Sequence, residues 1–327
     1  MHLYHEEAIR SCVALNRTVI QKVEDGFTQL DQGNAAMPPI MSIDIPENSG
    51  EVDIKSAYIK GLDTFAIKIS SGFFNNKALG LPSLSGMMLL MSSVTGLPEA
   101  ILMDNGYLTD VRTAAAGAIA ADYLAKPHID TAGVIGTGLQ ARLQMEALYL
   151  VRPYKKLLVY GRRKEAVDTY IAEMSANLGV AVESVPTPEQ LVKQSEIVVT
   201  TTPAKAPIIK TEWLHKGLHI TAMGADTGTK QEIDEKIFHH ADLIVCDVIK
   251  QCKQCGELHH ALEHGVLSLE DSRIIELGAL TSGNVPGREN DDQITLCDLT
   301  GTGVQDTAIA RYALQQLKAE SKGNQTN

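Results

Sequence analysis

Val134-Ile135-Gly136-Thr137-Gly138-Leu139-Gln140-Ala141 decides the fold of this chain. The apolar run from Thr131 to Ile135 reads as a buried parallel strand. It stops at Gly136, turns through Gly138 and opens a run of good helix formers from Leu139 to Leu150. This is the G-x-G-x-x-G/A pattern of a dinucleotide site. Gly136 allows the tight turn, Gly138 lets the backbone approach a pyrophosphate, and the small Ala141 lets helix pack close on strand. A diphosphate then meets free N–H groups at the positive end of the helix dipole. By itself the pattern also fits an ordinary tight strand–helix turn. Strand before and helix after select the dinucleotide reading.

About 25 residues on, Lys156 to Tyr160 reads as the second strand, followed by Gly161-Arg162-Arg163-Lys164. An NAD site usually carries a carboxylate at the end of this strand, to accept hydrogen bonds from the ribose 2′-hydroxyl. None stands here. Two arginines follow instead, planar forks that suit a 2′-phosphate. A solvated basic turn would look the same, but the missing carboxylate favours NADPH, with NADH as the alternative.

With 327 residues the chain is expected to form two domains around a large core. Apolar residues at 44% and charged residues at 21% are those of an ordinary globular protein, with disorder expected only from about Ser321. A net charge of −11 argues against nucleic acid or an anionic membrane as a partner. No basic-then-apolar leader stands at Met1-His2-Leu3-Tyr4-His5, and no run approaches ~20 apolar residues. Five scattered cysteines fit a reducing cytoplasm, which is the expected location. Cys252-Lys253-Gln254-Cys255 with His259 and His260 invites a zinc reading. With no second C-x-x-C, and helical periodicity from Ile249 to Leu262, helix surface is preferred and no metal is expected. His239-His240 reads as the exposed end of a helix beginning near Glu232.

Ile9, Val13, Ile20, Val23, Phe27 and Leu30 share a helical face, predicting one helix over 8–31. Strands follow at 51–59 and 64–70, then a loop rich in Gly, Asn and Pro from Ser71 to Gly86, then a strand pair at 87–93 and 100–104. Asp110 is read as the N-cap of a helix reaching Leu124. Lys126-Pro127 is the expected linker. Beyond it, strands at 131–135, 156–160, 180–184, 196–201, 217–222, 243–247 and 273–276 alternate with helices, the pattern of a Rossmann-type doubly wound parallel sheet in an α/β chain. A discontinuous α+β substrate domain is expected over 1–125. The helix from Val304 to about Lys318 returns to it, and the dinucleotide domain covers 126–303.

A nicotinamide enzyme also needs a grip on its substrate and a group that handles the proton accompanying the hydride. Asp226 follows an apolar strand through Gly224-Ala225, which places it at the carboxyl end of a parallel strand, where open α/β sheets put ligands. An N-cap or turn aspartate is the plainer alternative. Lys68 interrupts an apolar strand, where a charge is costly unless paired or at an edge. Arg112 stands in the first turn of the predicted helix, where the dipole disfavours a cation unless an anion is to be met.

Taken in order, these motifs resemble the ornithine cyclodeaminase/μ-crystallin family from about residue 10 to 318. The resemblance is carried by Ala66-Ile67-Lys68, Leu108-Thr109-Asp110-Val111-Arg112-Thr113-Ala114-Ala115, the glycine fingerprint, Thr201-Thr202-Pro203, and Met223-Gly224-Ala225-Asp226 with Lys230-Gln231-Glu232. It implies that Lys68 and Arg112 hold a substrate α-carboxylate and that Asp226 is the acid/base at the amine or imine nitrogen. Thr113 and Lys230 would lie near the cofactor, with further contacts expected from Gly136, Thr137, Gly138, Leu139, Gln140, Gly161, Arg162, Arg163, Thr201, Thr202, Met223, Gly224 and Gly301. It also implies a homodimer, with the domain over 1–125 as the dimerisation domain.

The family normally adds a carboxylate-binding arginine near Pro38-Pro39, and Met37-Pro38-Pro39-Ile40-Met41 has none; Lys55 could replace it, or the substrate differs. The segments Met37-Pro38-Pro39-Ile40, Phe73-Phe74-Asn75-Asn76, Leu79-Gly80-Leu81-Pro82-Ser83-Leu84 and Asp298-Leu299-Thr300-Gly301-Thr302-Gly303-Val304-Gln305-Asp306 look most like the ectoine-utilisation branch. That implies an imine or ketimine reductase of (hydroxy)ectoine catabolism acting on a small amino-acid-derived imine. A cyclodeaminase runs the same half-reactions with cyclisation between them. A non-catalytic NADP-binding protein of μ-crystallin type is the rival class, and retention of Lys68, Arg112 and Asp226 together speaks against it.

Overall fold

The computed structural model describes residues 1–323, with side chains to 320. It divides into two compact units, Met1–Thr113 with the segment from Thr302 onward, and Ala114–Gly301. The first division falls inside a helix rather than at Lys126-Pro127.

The first unit opens with strand β1 (His2–His5), then helices α1 (Glu6–Cys12) and α2 (Arg17–Asp31). The single helix expected over 8–31 is therefore two. Its apolar positions do share a phase, but Asn16 is extended and its side chain accepts the Val19 N–H at 2.9 Å, so a new helix starts there. Strands β2 (Ala35–Ala36), β3 (Met41–Ile45), β4 (Gly50–Ile59), β5 (Thr64–Phe73), β6 (Leu84–Ser92) and β7 (Pro98–Met103) follow. They form a sheet in the order β1-β7-β6-β5-β4-β2, with β3 also on β4; the pairs are antiparallel except β1 with β7. Helix α3 (Tyr107–Leu124) comes next. Asp110 lies inside it, so its expected N-cap role is not realised. The chain instead turns through Asn105 and Gly106, both at positive φ, and Asp104 Oδ2 accepts the Leu108 N–H at 2.7 Å.

The second unit alternates β8 (Thr131–Ile135), α4 (Leu139–Val151), β9 (Lys156–Tyr160), α5 (Lys164–Leu178), β10 (Ala181–Ser184), α6 (Pro188–Gln194) and β11 (Ile197–Thr200). Then come β12 (Lys205–Ile209), β13 (His219–Ala222), β14 (Gln231–Ile233), α7 (Ile237–His240), β15 (Leu243–Cys246), α8 (Ile249–Cys252) and α9 (Glu257–Glu263). The last elements are β16 (Ile274–Glu276), α10 (Leu277–Thr281) and β17 (Thr295–Asp298). The parallel sheet runs β10-β9-β8-β11-β13-β17-β15-β16. Its inner strands are buried on both faces, as helices on either side require. One apolar cluster gathers Ile135, Val198, Ile220, Phe238 and Ile244; another gathers Val134, Met145, Val159, Tyr170 and Val199.

Two local expectations change, and one strand is added that was not expected. Glu232 lies on β14, which pairs with β12, and the helix carrying His239-His240 starts only at Ile237. The helix expected over 249–262 breaks at Gly256, whose φ of 94° no ordinary helical residue adopts. The segment after Thr295 is a strand between β13 and β15.

The chain then returns to the first unit as α11 (Gly303–Gly323). The tail beyond 323, part of the disorder expected from Ser321, lies outside the described residues. α11 buries Val304, Ile309, Ala310, Ala313, Leu314 and Leu317. Thr307 fixes its seat on the sheet, accepting the Ala66 N–H at 3.1 Å and donating to the Ala57 carbonyl at 2.7 Å. The covered face carries Ala57, Ala66, Met88 and Leu90, all fully buried.

Candidate functional site

In the second unit the predicted nucleotide residues follow the carboxyl ends of neighbouring parallel strands. Gly136 to Gln140 lie after β8, Gly161 to Arg163 after β9, Thr201 and Thr202 after β11, Met223 and Gly224 after β13, and Gly301 after β17. β8 and β11 are adjacent while the chain leaves β8 toward β9, so the strand order reverses between them. Crevices for ligands form at such a switch point. Gly136 has φ 127°, and a Cβ there would collide with Thr201 Oγ1. A Cβ on Gly161 would come within 2.7 Å of Thr137 Cγ2.

Gly138 differs. Its φ of −83° suits any residue, and a Cβ there would meet no protein atom within 4 Å. Protein packing does not require the glycine, so what it leaves open is space over the N-terminus of α4. That fits a diphosphate laid against the turn. Leu139 and the guanidinium-bearing Arg162 and Arg163 are exposed, and Arg163 is the N-cap residue of α5. Arg142, one turn into α4, donates to the Thr137 carbonyl at 2.6 Å and the Gly138 carbonyl at 3.1 Å, holding the turn.

Glu232 is the organiser that sequence reasoning missed. Fully buried, it accepts from Thr200 Oγ1 (2.7 Å), Thr202 N (2.5 Å), Thr202 Oγ1 (2.8 Å) and Gly224 N (2.7 Å). One carboxylate thus ties together the ends of β11 and β13. Burial pushes its pKa up, against the lowering effect of those donors. Its own N–H donates to Glu257 Oε1 at 2.7 Å, and burial holds Glu257 well above the usual carboxylate range. Gly301 is fixed by its N–H to Asp247 Oδ2, 2.6 Å.

Asp226 stands in the loop between β13 and β14, half-exposed, with Lys230 Nζ 2.5 Å from its Oδ1. The carbonyl of Lys230 lies 2.7 Å from His260 Nε2, which anchors the loop on α9. The thiols of the zinc reading have separate partners. Cys252 Sγ donates to Asp247 Oδ1 at 3.2 Å and Cys255 Sγ to the Gln251 carbonyl at 3.5 Å. Cys246, Cys252 and Asp298 come together, as do His259, His260 and Glu263, but neither group joins Cys252 to Cys255.

In the first unit Lys68 of β5 and Arg112 of α3 converge on Asp306 of α11. Arg112 Nε donates to Asp306 Oδ1 at 2.9 Å, and Lys68 Nζ lies 3.5 Å from Oδ2. All three side chains are buried. Gln305 Oε1 accepts from Arg112 Nη1 at 3.3 Å and from Thr302 N at 2.7 Å. Thr113, half-buried, follows Arg112 on α3. Burial lowers the Lys68 pKa to about 7; Asp306 opposes that shift, while Arg112 and Lys55, its neighbour across the sheet, add to it. Sequence reasoning found both cations and missed their anion.

The ornithine cyclodeaminase/mu-crystallin family matches residues 3–321. A Sinorhizobium fredii protein named an uncharacterized cyclodeaminase is 46% identical over 325 residues, covering 99% of this chain and 98% of its own. The alanine dehydrogenase of Archaeoglobus fulgidus is 33% identical over 319 residues, 98% of this chain and 96% of its own. The structure of Thermococcus litoralis Δ1-pyrroline-2-carboxylate reductase, in complex with NADH and L-proline, superposes with a TM-score of 0.92 at 28% identity, covering 98% of each chain. A family match over nearly the whole length, with the same fold end to end, places this chain in the ornithine cyclodeaminase/mu-crystallin family.

Proposed function

We propose that this protein is a nicotinamide-dependent imine reductase acting on a small imino acid. The observation that carries the reading is the buried Lys68–Asp306–Arg112 cluster, two cations against one carboxylate, in a chain that also holds a dinucleotide turn. Excess positive charge out of water calls for an anion, and an α-carboxylate meets it. The relatives named above include an alanine dehydrogenase and a Δ1-pyrroline-2-carboxylate reductase held with NADH and L-proline, names that support amino- or imino-acid chemistry here.

The reduced cofactor, when bound, supplies the hydride. Lys68 and Arg112 hold the carboxylate and fix the orientation of the adjacent C=N bond. Asp226 supplies the proton at nitrogen, so C=N gains one hydride at carbon and one proton at nitrogen to give the amine. General acid catalysis of this kind is typically worth ~10²–10⁴-fold. Gly138, Gly161 and the loops tied by Glu232 receive the nucleotide, with Thr113, Thr137, Gln140, Met223 and Lys230 beside it. Arg162 and Arg163 select NADPH. The finer assignment, to (hydroxy)ectoine catabolism, is supported by the segments around Phe73, Leu79 and Asp298.

We also propose a homodimer. The sheet face away from α11 carries rows of apolar side chains, such as Met87, Ile69, Ile54 and Met41 in direct register across four strands. Met41, Ile43 and Met87 on it are exposed. A second copy related by a two-fold axis would cover this face.

The test is oxidation of NADPH and NADH with a panel of imino acids, made from keto acids with ammonia or supplied as cyclic imines. Turnover with at least one supports the reading. Cofactor binding without turnover on any of them favours the non-catalytic class. Ammonia release from ornithine with oxidised cofactor favours a cyclodeaminase.

A further inference from the structure

We propose that Asp306 is the positioning residue of the anion grip, acting through Lys68 and Arg112 by dividing one carboxylate between them. It keeps both aimed and keeps Lys68 charged, without itself meeting the substrate. The inference rests on the proposed reading only in naming a carboxylate as the anion received.

Geometry supports it from three sides. Asp306 Oδ1 takes the Arg112 Nε–H at 2.9 Å and Gln305 Oε1 takes an Nη1–H at 3.3 Å, so the guanidinium is held at two of its three nitrogens. Oδ2 is buried and, among the described residues, has no hydrogen-bond donor; Lys68 Nζ lies 3.5 Å from it. An ammonium at that distance is held by charge but not locked by a hydrogen bond, so it is free to turn toward a second anion. The carboxylate also sits in the first turn of α11, where the helix dipole favours an acid. Its height over the sheet is fixed twice. Thr307 bonds to β4 and β5, and Gly303 lies so close to β4 that a Cβ would strike the Ser56 carbonyl.

The charge balance gives the function. Lys68 faces Lys55 on β4, Arg112 on α3 and Asp306 on α11, while β6 presents uncharged Met88. Asp306 is the group that raises the Lys68 pKa against burial and the two cations. Without it Lys68 would shed its proton at a lower pH, and the grip would lose one of its two charges in the neutral range.

The experiment compares wild type with Asp306→Asn, which keeps the shape and removes the charge. The readouts are an NMR titration of the Lys68 side chain in lysine-labelled protein, and the pH profile of kcat/KM on the best imino acid. The Lys68 titration should move to lower pH, by about one unit or more. KM should rise at least about tenfold with a smaller change in kcat, because the carboxylate is held in ground and transition states alike. The affinity for NADH should stay within about twofold. A Lys68 titration unchanged in Asp306→Asn overturns the proposal, and this readout needs no substrate. If wild type reduces no imino acid while the Lys68 titration still shifts, the functional reading fails and the positioning role stands. Should Asp306→Asn not fold, Lys68→Met/Asp306→Asn removes both charges of the pair. Stability equal to Lys68→Met alone supports action through Lys68, and a double variant as unfolded as the single one overturns it.

Discussion

The Glu232 carboxylate receives the backbone N–H of Thr202 at 2.5 Å, and through the same side chain the Gly224 N–H at 2.7 Å. Two loops that leave adjacent strands are thereby held by one buried acid. Glu232→Gln would turn an amide N–H₂ toward donors that now point at oxygen. Leaving a buried donor unsatisfied costs about 1–3 kcal/mol. A lower melting temperature and weaker binding of NADH and NADPH alike are expected, read by thermal unfolding and by fluorescence titration. A variant with wild-type affinity for both nucleotides would show that these loops do not meet the cofactor.

The proposed preference for NADPH rests on Arg162 and Arg163, both exposed just after β9. A charge-assisted hydrogen bond to the 2′-phosphate contributes about 1.5–3 kcal/mol, roughly ten- to a hundredfold in preference. NADPH should therefore be used with the higher kcat/KM, and replacing both arginines with alanine should erase the difference. Equal or better turnover of wild type with NADH would refute the assignment.

Asp226→Asn keeps the shape of the side chain but cannot deliver a proton. Turnover should fall by about two to four orders of magnitude while nucleotide affinity is kept. Arg112→Ala, by contrast, should act mainly on KM. Steady-state kinetics with a direct nucleotide-binding measurement separate the two. Near-wild-type turnover of Asp226→Asn would remove it from the reaction.

Burial, and next to it the nearby Asp247 carboxylate, raise the Asp298 pKa from 3.8 to about 7, although the Leu258 and Glu257 N–H groups pull it down. The folded state then binds more protons than the unfolded state between about pH 4 and pH 7. Stability contributed by the neutral acid is complete below that window and is lost as pH rises through it. Asp298→Asn keeps an acceptor for the Leu258 N–H and removes the ionisation. Its melting temperature should fall less than that of wild type between mildly acidic and neutral pH, as followed by circular dichroism. Parallel curves for the two proteins would show that Asp298 does not carry the dependence.

The apolar sheet face predicts self-association. Met41→Lys with Ile43→Lys places two charges among exposed apolar side chains on β3. Analytical ultracentrifugation should find wild type as a dimer and the variant as a monomer with its melting transition retained. A wild type that sediments as a monomer at micromolar concentration would contradict the dimer.

Much of this could be read from the chain because the signals are local. The glycine turn is announced by a strand before it and a helix after it, within about a dozen residues. Lys68 announces itself as a lone charge in an apolar strand. Asp306 closes a segment that resembles the family, but its role as the anion between Lys68 and Arg112 could not be read, because those partners lie 194 residues or more away. Glu232 was misplaced for a related reason. Gln231-Glu232-Ile233-Asp234-Glu235 has the composition of a first helical turn, and only pairing with Lys205 to Ile209 makes it a strand. The split of the first helix at Asn16 was hidden because the apolar residues on either side keep the same phase. Four residues, Thr295 to Asp298, are too short to show strand periodicity by themselves.

The position of those four residues reaches beyond the finished molecule. β17 is the last strand of its sheet to leave the ribosome, yet it lies between β13 and β15, both made some fifty residues or more earlier. α11 emerges later still and closes the core over β4 and β5. Neither unit can therefore complete itself before its late segment emerges, the parallel sheet waiting for a central strand and the antiparallel one for the helix that covers it. Contacts so distant in sequence form slowly, and partly assembled sheets of this kind are exposed to aggregation. The yield of native protein in a cell should depend on how well nascent chains are shielded until residue 317, the last buried apolar position of α11, has appeared.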